Sequence, residues 1–258
     1  MITTINRAIG TRLATFLSKD LPDYQRIDTV SIEKVASILR TGDILLVEGN
    51  TRISTAIKYL TQSSWSHACL FVGQSGADCA EPTLVEADLK HGVRLVSLQH
   101  YADFNVRICR PVSLSDGDIQ RLVDFARSKL GHNYDLKNVV DLIRFLIQKP
   151  AVPLRYRRAM ISFGSGEPTK AICSTLIAES FQSIEYPILP RRNGEQGRDG
   201  DVPQFYRHHF THFTPRDFDL SPYFKVIKPT IGEDFDYRDL QWQESGESEK
   251  ENGAEVIK

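Results

Sequence analysis

The apolar positions fall into two alternating regimes. Ile5, Ala8, Ile9, Leu13, Phe16 and Leu17 recur at helical spacing, with Arg7 and Arg12 elsewhere on the wheel, and predict an N-terminal helix. Ile32, Val35, Ala36 and Leu39 predict a second over 31–40, with Ser31 as its N-cap. Thr41-Gly42-Asp43 then ends that helix and launches Ile44-Leu45-Leu46-Val47, a short continuous apolar run that reads as a buried strand. Helical spacing returns through Ile53, Ala56, Ile57 and Leu60. Four candidate strands follow, at 67–72, 83–87, 93–96 and 104–109, most of them separated by Gly, Asp or Pro.

The second half is mainly helical. Ser115-Asp116-Gly117-Asp118 is a serine N-cap with acidic first-turn residues, and Ile119, Leu122, Val123 and Ala126 carry that helix to a stop at Gly131. Further helices are predicted over 136–147 and 172–181, separated by an irregular excursion over 150–167. A polar loop over 191–201 follows, then a short strand at 224–227. Residues 244–258 are too polar to bury themselves, which predicts disorder from 244. No internal repeat occurs. This order predicts an α+β fold with helices packed on an antiparallel sheet. It also divides the chain into a helical segment over 1–40, a main domain over 41–230 and a tail over 231–258.

Composition removes several classes of function. Of 258 residues, 32 are Lys or Arg and 33 Asp or Glu, so the formal charge of −1 carries no electrostatic footprint for nucleic acid. The length supports a core that needs no disulfide or structural metal. The four cysteines, Cys69, Cys79, Cys109 and Cys173, contain no CxxC pair, which disfavours zinc ribbons and dithiol redox motifs and favours a reducing compartment. No run of 18 apolar residues exists, and residues 1–20 lack the apolar stretch and small-residue cleavage site of a signal peptide. A cytoplasmic protein is therefore expected. Its basic amphipathic N-terminus is either packed on the domain or a peripheral membrane contact.

The chemistry concentrates in a few places. In Trp65-Ser66-His67-Ala68-Cys69-Leu70-Phe71, strand alternation puts His67, Cys69 and Phe71 on one face. His67, where the strand begins, is a candidate general base. Cys173 falls in the first turn of the helix over 172–181, where unpaired N–H groups and the positive dipole end stabilise a thiolate. Glu86, inside the otherwise apolar Leu84-Val85-Glu86-Ala87, needs a partner to be buried, and orienting an imidazole would supply one. Asp88 is the fallback for that role. Tyr134, after the stop at Gly131, is an oxyanion-donor candidate and equally a buried structural tyrosine.

Other features carry less. Cys69 and Cys109 read as small hydrophobes within apolar strands, and Cys79 as incidental. His208 and His212 have an i, i+4 spacing that zinc can use but lack the glutamate of an HExxH motif, so a solvated cluster and no metal is the expectation. Lys149, Arg155, Arg157 and Arg158 form a basic patch. No GxGxxG, P-loop or GxSxG motif appears.

Taken together, Thr41-Gly42-Asp43-Ile44-Leu45-Leu46, Trp65-Ser66-His67, Val85-Glu86, Gly131 with Tyr134-Asp135, and Ile172-Cys173-Ser174 resemble the permuted NlpC/P60 superfamily in its YiiX/YebB-like branch. The similarity runs over 41–184, and the Asp217-Phe218-Asp219-Leu220-Ser221-Pro222 segment is also similar to that branch. The resemblance implies a circularly permuted papain-like fold in which histidine precedes cysteine. It implies Cys173 as nucleophile, His67 as base and Glu86 as orienting acid, with no cofactor. Related families include peptidoglycan peptidases, amidases, lipid acyltransferases and deubiquitinating enzymes, so the fold indicates a reaction type better than a substrate. A peptide or amide substrate is the first expectation. The alternatives are an acyl-lipid ester substrate at a membrane surface, for a hydrolase or acyltransferase, and a catalytically silent binding scaffold.

Overall fold

Four consecutive buried residues form β1 (Ile44–Val47), and they sit inside a six-stranded antiparallel sheet. The computed structural model describes residues 16, 18–20, 24, 26–27, 30–75, 81–88, 91–132, 172–189, 191–192, 205–206, 209–210 and 213–229. In chain order, α1 (Ile32–Ile38) precedes β1, and α2 (Arg52–Thr61), β2 (His67–Ser75), β3 (Glu81–Asp88) and β4 (Gly92–Ser97) follow it. A 3-10 turn (Leu98–Tyr101) leads to β5 (Val106–Pro111), α3 (Asp116–Ser128) and α4 (Ile172–Ser183). Next come a small ribbon of β6 (Arg191–Arg192) and β7 (Phe205–Tyr206), then α5 (Pro215–Leu220) and β8 (Phe224–Ile227). The large sheet has the order β4-β3-β2-β1-β5-β8.

Both faces of the sheet are covered, which is why β1 reads as an unbroken apolar run. Ile44, Leu46, Ala68, Leu70, Val72 and Val85 pack under Leu122, Val123 and Ala126 of α3 and Leu176, Ile177 and Phe181 of α4. Leu45, Val47, Cys69, Phe71, Leu84 and Ile108 form the opposite face, closed by Val30, Ile32 and Val35 around α1 and by Leu98 and Tyr101. The alternation expected along β2 is thus observed. Helix α4 is buried almost all round, as a helix in the centre of a domain must be.

Local chemistry sets the boundaries. The Ser31 hydroxyl accepts the Lys34 N–H at 3.3 Å, and Ser115 forms a full capping box with Asp118. At the α1–β1 turn, Gly42 adopts φ of 92°, a conformation that L side chains resist, and this delivers Asp43 into the interior. Asp43 is buried and accepts the Arg40 N–H and two donors of the Arg110 guanidinium at 2.7 and 2.9 Å.

Three elements depart from the sequence reading. The 3-10 turn after β4 is opened by Ser97, whose hydroxyl accepts the Gln99 N–H, and is too short to show helical periodicity. The first two residues of the expected polar loop over 191–201 instead pair as β6 with β7. Thr214 and Asp217 cap α5 reciprocally, a helix of only 6 residues. The expected N-terminal helix lies mostly outside the described residues. The helix over 136–147, the basic excursion over 150–167 and the tail from 244 lie wholly outside them. Among the described residues no helix is long and apolar enough to cross a membrane.

Candidate active site

The site lies where β2 begins. The named pairs of β2 with β3 run from Ser75 and Glu81 to Leu70 and Val85, while β2 stays paired with β1 as far as His67 and Val47. The Phe71 N–H donates to the Asp43 carbonyl, so odd-numbered amides of β2 face β1 and the Ala68 N–H faces the β3 side, beyond the last named β2–β3 pair. The sulfur of Cys173, second residue of α4, lies against that amide and the His67 side chain, and both act to lower its thiol.

His67 connects this sulfur to an acid. Its Nε2 lies 2.7 Å from Glu86 Oε2, and the ring keeps 23% of its side-chain surface exposed while the carboxylate keeps 3%. The segment before His67 is braced on several sides. Ser66 Oγ accepts the Gly49 N–H at 2.9 Å, and Trp65 Nε1 donates to Asp219 Oδ2 at 3.3 Å. Arg107 holds both oxygens of Asp219 at 2.7 and 3.0 Å and lies 4.8 Å over the Trp65 ring. These contacts give the acidic residues of the Asp217-Phe218-Asp219 segment structural work: Asp217 caps α5, and Asp219 anchors Trp65.

Glu86 is more densely partnered than the sequence suggested. Arg94 meets its Oε1 through Nε and Nη2, both at 2.8 Å, and the Tyr101 hydroxyl donates a short hydrogen bond to its Oε2. The Cys69 thiol donates to the Tyr101 oxygen at 3.3 Å. Cys69 is therefore polar-bonded at the site, a correction to its reading as an inert hydrophobe. That reading failed because apolar neighbours along a strand say nothing about what lies across the sheet. Cys109 is fully buried on the α3–α4 face, where burial pushes its thiol up to about 12.

Electrostatics separates these groups. Burial works against charge on all of them, yet the His67 imidazolium and hydrogen bonds from His67, Ala68 and Ser174 hold the Cys173 thiol below its ordinary range. Burial opposes a proton on His67 too, but the negative charge of the facing Cys173 sulfur and hydrogen bonding with Cys173 and Cys69 lift it well above the usual histidine value. Burial raises Cys69, which keeps its proton and leaves Cys173 as the thiolate of the pair. Burial would raise Glu86, but bonds from His67 and Tyr101 and the charge of Arg94 carry it far below the carboxylate range.

His67, Cys173 and Glu86, the residues chosen from sequence, thus come together. Asp88, the fallback acid, lies 2.7 Å from His91 Nδ1. Tyr134, Cys79, His208 and His212 lie outside the described residues. Arg94 and Tyr101 were missed. Arg94 is the cross-strand partner of Glu86 on β4, so an acid and a base at matched positions of a hairpin were the available signal. Tyr101 left none. His67, Cys69 and Glu86 each offer a ligand atom within 4.8 Å of the others. A cation there would have to displace the Tyr101 or His67 bond and work against the Arg94 guanidinium, so these residues do not fit a resident metal.

The sheet, its covering helices and a histidine strand preceding a cysteine helix define a permuted papain-like α+β fold. The model of the family described as permuted papain-like amidase enzymes, YaeF/YiiX, C92 family, matches residues 38–142. This bears out the resemblance to the YiiX branch. The chain is 22% identical over 178 residues to the probable lipoprotein peptidase YaeF of Escherichia coli (strain K12), covering 63% of this chain and 62% of that protein. It thus spans less than two thirds of that relative's length. It is also similar to the crystal structure of metalloprotein yiiX from Escherichia coli O157:H7, with 18% identity and a TM-score of 0.46 over 73% of this chain and 96% of that one.

Proposed function

We propose that the protein is a cysteine-dependent hydrolase of amide or peptide bonds, with Cys173 as nucleophile, His67 as acid and base, and Glu86 as the residue that orients the imidazole. The observation that carries this reading is a single imidazole held between a lowered thiol and a buried carboxylate 2.7 Å away. The match to a family described as amidases supports the bond type, as does the similarity to a protein named a peptidase.

The geometry suits the steps in turn. With Nε2 committed to Glu86, Nδ1 is the nitrogen left to exchange a proton with Cys173. The thiolate attacks the carbonyl carbon, and the free N–H groups of the first turn of α4 receive the developing oxyanion. The C–N bond breaks as His67 protonates the leaving amine, leaving a thioester on Cys173. His67 then takes a proton from water, whose oxygen attacks the thioester, releasing the acid and restoring the thiol pair.

Folded Cys173→Ala and His67→Ala proteins, assayed on matched amide and ester acyl substrates, test this reading. Both should lose turnover by at least about 100-fold. Unchanged turnover in either would remove the mechanism. Turnover of esters alone would move the substrate class to acyl esters, and an electrophilic acyl probe that leaves Cys173 unlabelled would point to a silent scaffold.

A further inference from the structure

The Glu86 carboxylate sits at the centre of a hydrogen-bond chain that runs in one direction. The Cys69 sulfur lies 3.3 Å from the Tyr101 oxygen, to which its S–H donates, and 3.9 Å from Glu86 Oε2, while the Tyr101 hydroxyl donates to that same Oε2, the oxygen that holds His67 Nε2. Arg94 occupies the other oxygen from β4. The partners come from three separate elements: Cys69 and His67 from β2, Arg94 from β4, and Tyr101 from the 3-10 turn. Tyr101 is buried at 5% exposure, and His100 meets its ring edge-on with centroids 5.0 Å apart.

A carboxylate that only needed neutralising would be served by Arg94 alone. Here a neutral hydroxyl is spent on the oxygen facing the imidazole, where it draws off part of the negative charge His67 would otherwise feel. The arrangement therefore fixes both where the ring points and how tightly it keeps its proton. An imidazolium held too tightly is a poor acid for a leaving amine.

We propose that Tyr101, oriented by Cys69, and Arg94 are positioning residues that act through Glu86 to set the direction and proton affinity of His67. This rests on the reading of His67 as acid and base. The titratable and charged groups facing the pair are Cys69 on β2, Arg94 on β4, Tyr101 on the turn and Cys173 on α4, with Asp88 near Arg94. Removing Tyr101 O–H or the Arg94 charge leaves Glu86 a stronger partner for the imidazolium, which then keeps its proton to higher pH.

The experiment compares Tyr101→Phe, Arg94→Met and Arg94→Lys with the intact full chain, using an amide substrate. In Tyr101→Phe and Arg94→Met, kcat should fall about 10- to 100-fold with KM within about twofold, a part of what general acid–base catalysis contributes. The basic limb of the pH profile should rise by about half a pH unit or more. Arg94→Lys should return the limb toward its original position. A purely structural role would lower thermal stability without moving the limb, and a Tyr101→Phe protein with unchanged kcat and limb would overturn the inference. Loss of activity in Cys173→Ala and His67→Ala beside unaffected Tyr101 and Arg94 variants would sink this proposal alone. Survival of activity in His67→Ala would remove the reading beneath it, and the proposal with it.

Discussion

His67 and Glu86 meet diagonally across β2 and β3. Continuing the register beyond Leu70 and Val85 puts Cys69, not His67, directly opposite Glu86, yet the carboxylate reaches along the strand to His67 Nε2 at 2.7 Å. A diagonal contact of this kind is within reach of a side chain as long as glutamate.

Glu86→Gln tests what that contact contributes. The amide keeps the shape but removes the charge that complements an imidazolium, and it leaves Arg94 without its carboxylate. We expect kcat on an amide substrate to fall about 100-fold or more, with a stability loss of about 1–3 kcal/mol in urea unfolding. Unchanged kcat would mean that another group orients the ring.

The thiol pair has a defined pH signature. Cys173 is lowered and His67 raised, and both shifts favour the thiolate–imidazolium form. Iodoacetamide should label Cys173, buried at 5% exposure with a lowered thiol, through neutral pH and before Cys69 and Cys109, whose thiols burial raises and which have no exposed surface. Labelling should fade as pH falls through the lowered Cys173 value. In His67→Ala the onset should move up toward the ordinary thiol range. Mass spectrometry of the three cysteine peptides reads the order, and equal rates would contradict it.

Gly49 supports the approach to His67. A Cβ there would meet Ser54 Oγ at 2.3 Å and Ser66 Oγ at 2.9 Å, and Ser66 is the residue before His67. Gly49→Ala should therefore displace Ser66 and lower kcat together with the unfolding midpoint. A cost of about 1–3 kcal/mol is expected for overpacking. Wild-type kcat in this variant would show that His67 does not depend on its upstream brace.

The Thr41-Gly42-Asp43 turn has a separate, structural consequence. Asp43→Ala leaves Arg110 without its carboxylate partner, with 18% of the Arg110 side chain exposed. We expect a loss of about 3 kcal/mol in urea unfolding. Asp43→Ala combined with Arg110→Met should lose less than Asp43→Ala alone, because no charge is then left unpaired.

Local signals made much of this protein legible. Ser31 and Ser115 are N-caps where capping chemistry placed them, and the alternation through Ala68, Cys69, Leu70 and Phe71 sorted those side chains onto the faces they occupy. These features depend on residues close together in the chain, so hydrogen-bond chemistry and periodicity suffice to read them. His67, Cys173 and Glu86 were also readable, since each breaks a local rule: a histidine opening an apolar strand, a cysteine in a helix's first turn, an acid among buried aliphatics.

Tertiary structure alone decided how those residues meet and what surrounds them. The packing of α4 on the sheet brings one sulfur against His67 and the Ala68 amide. The 3-10 turn brings Tyr101 onto Glu86, and Asp219 reaches back to Trp65 across 154 residues. No periodicity encodes such contacts, because they arise where separately specified elements pack. Cys69 shows the difference most plainly: its strand neighbours are apolar, and its hydrogen-bond partner, Tyr101, lies 32 positions along the chain.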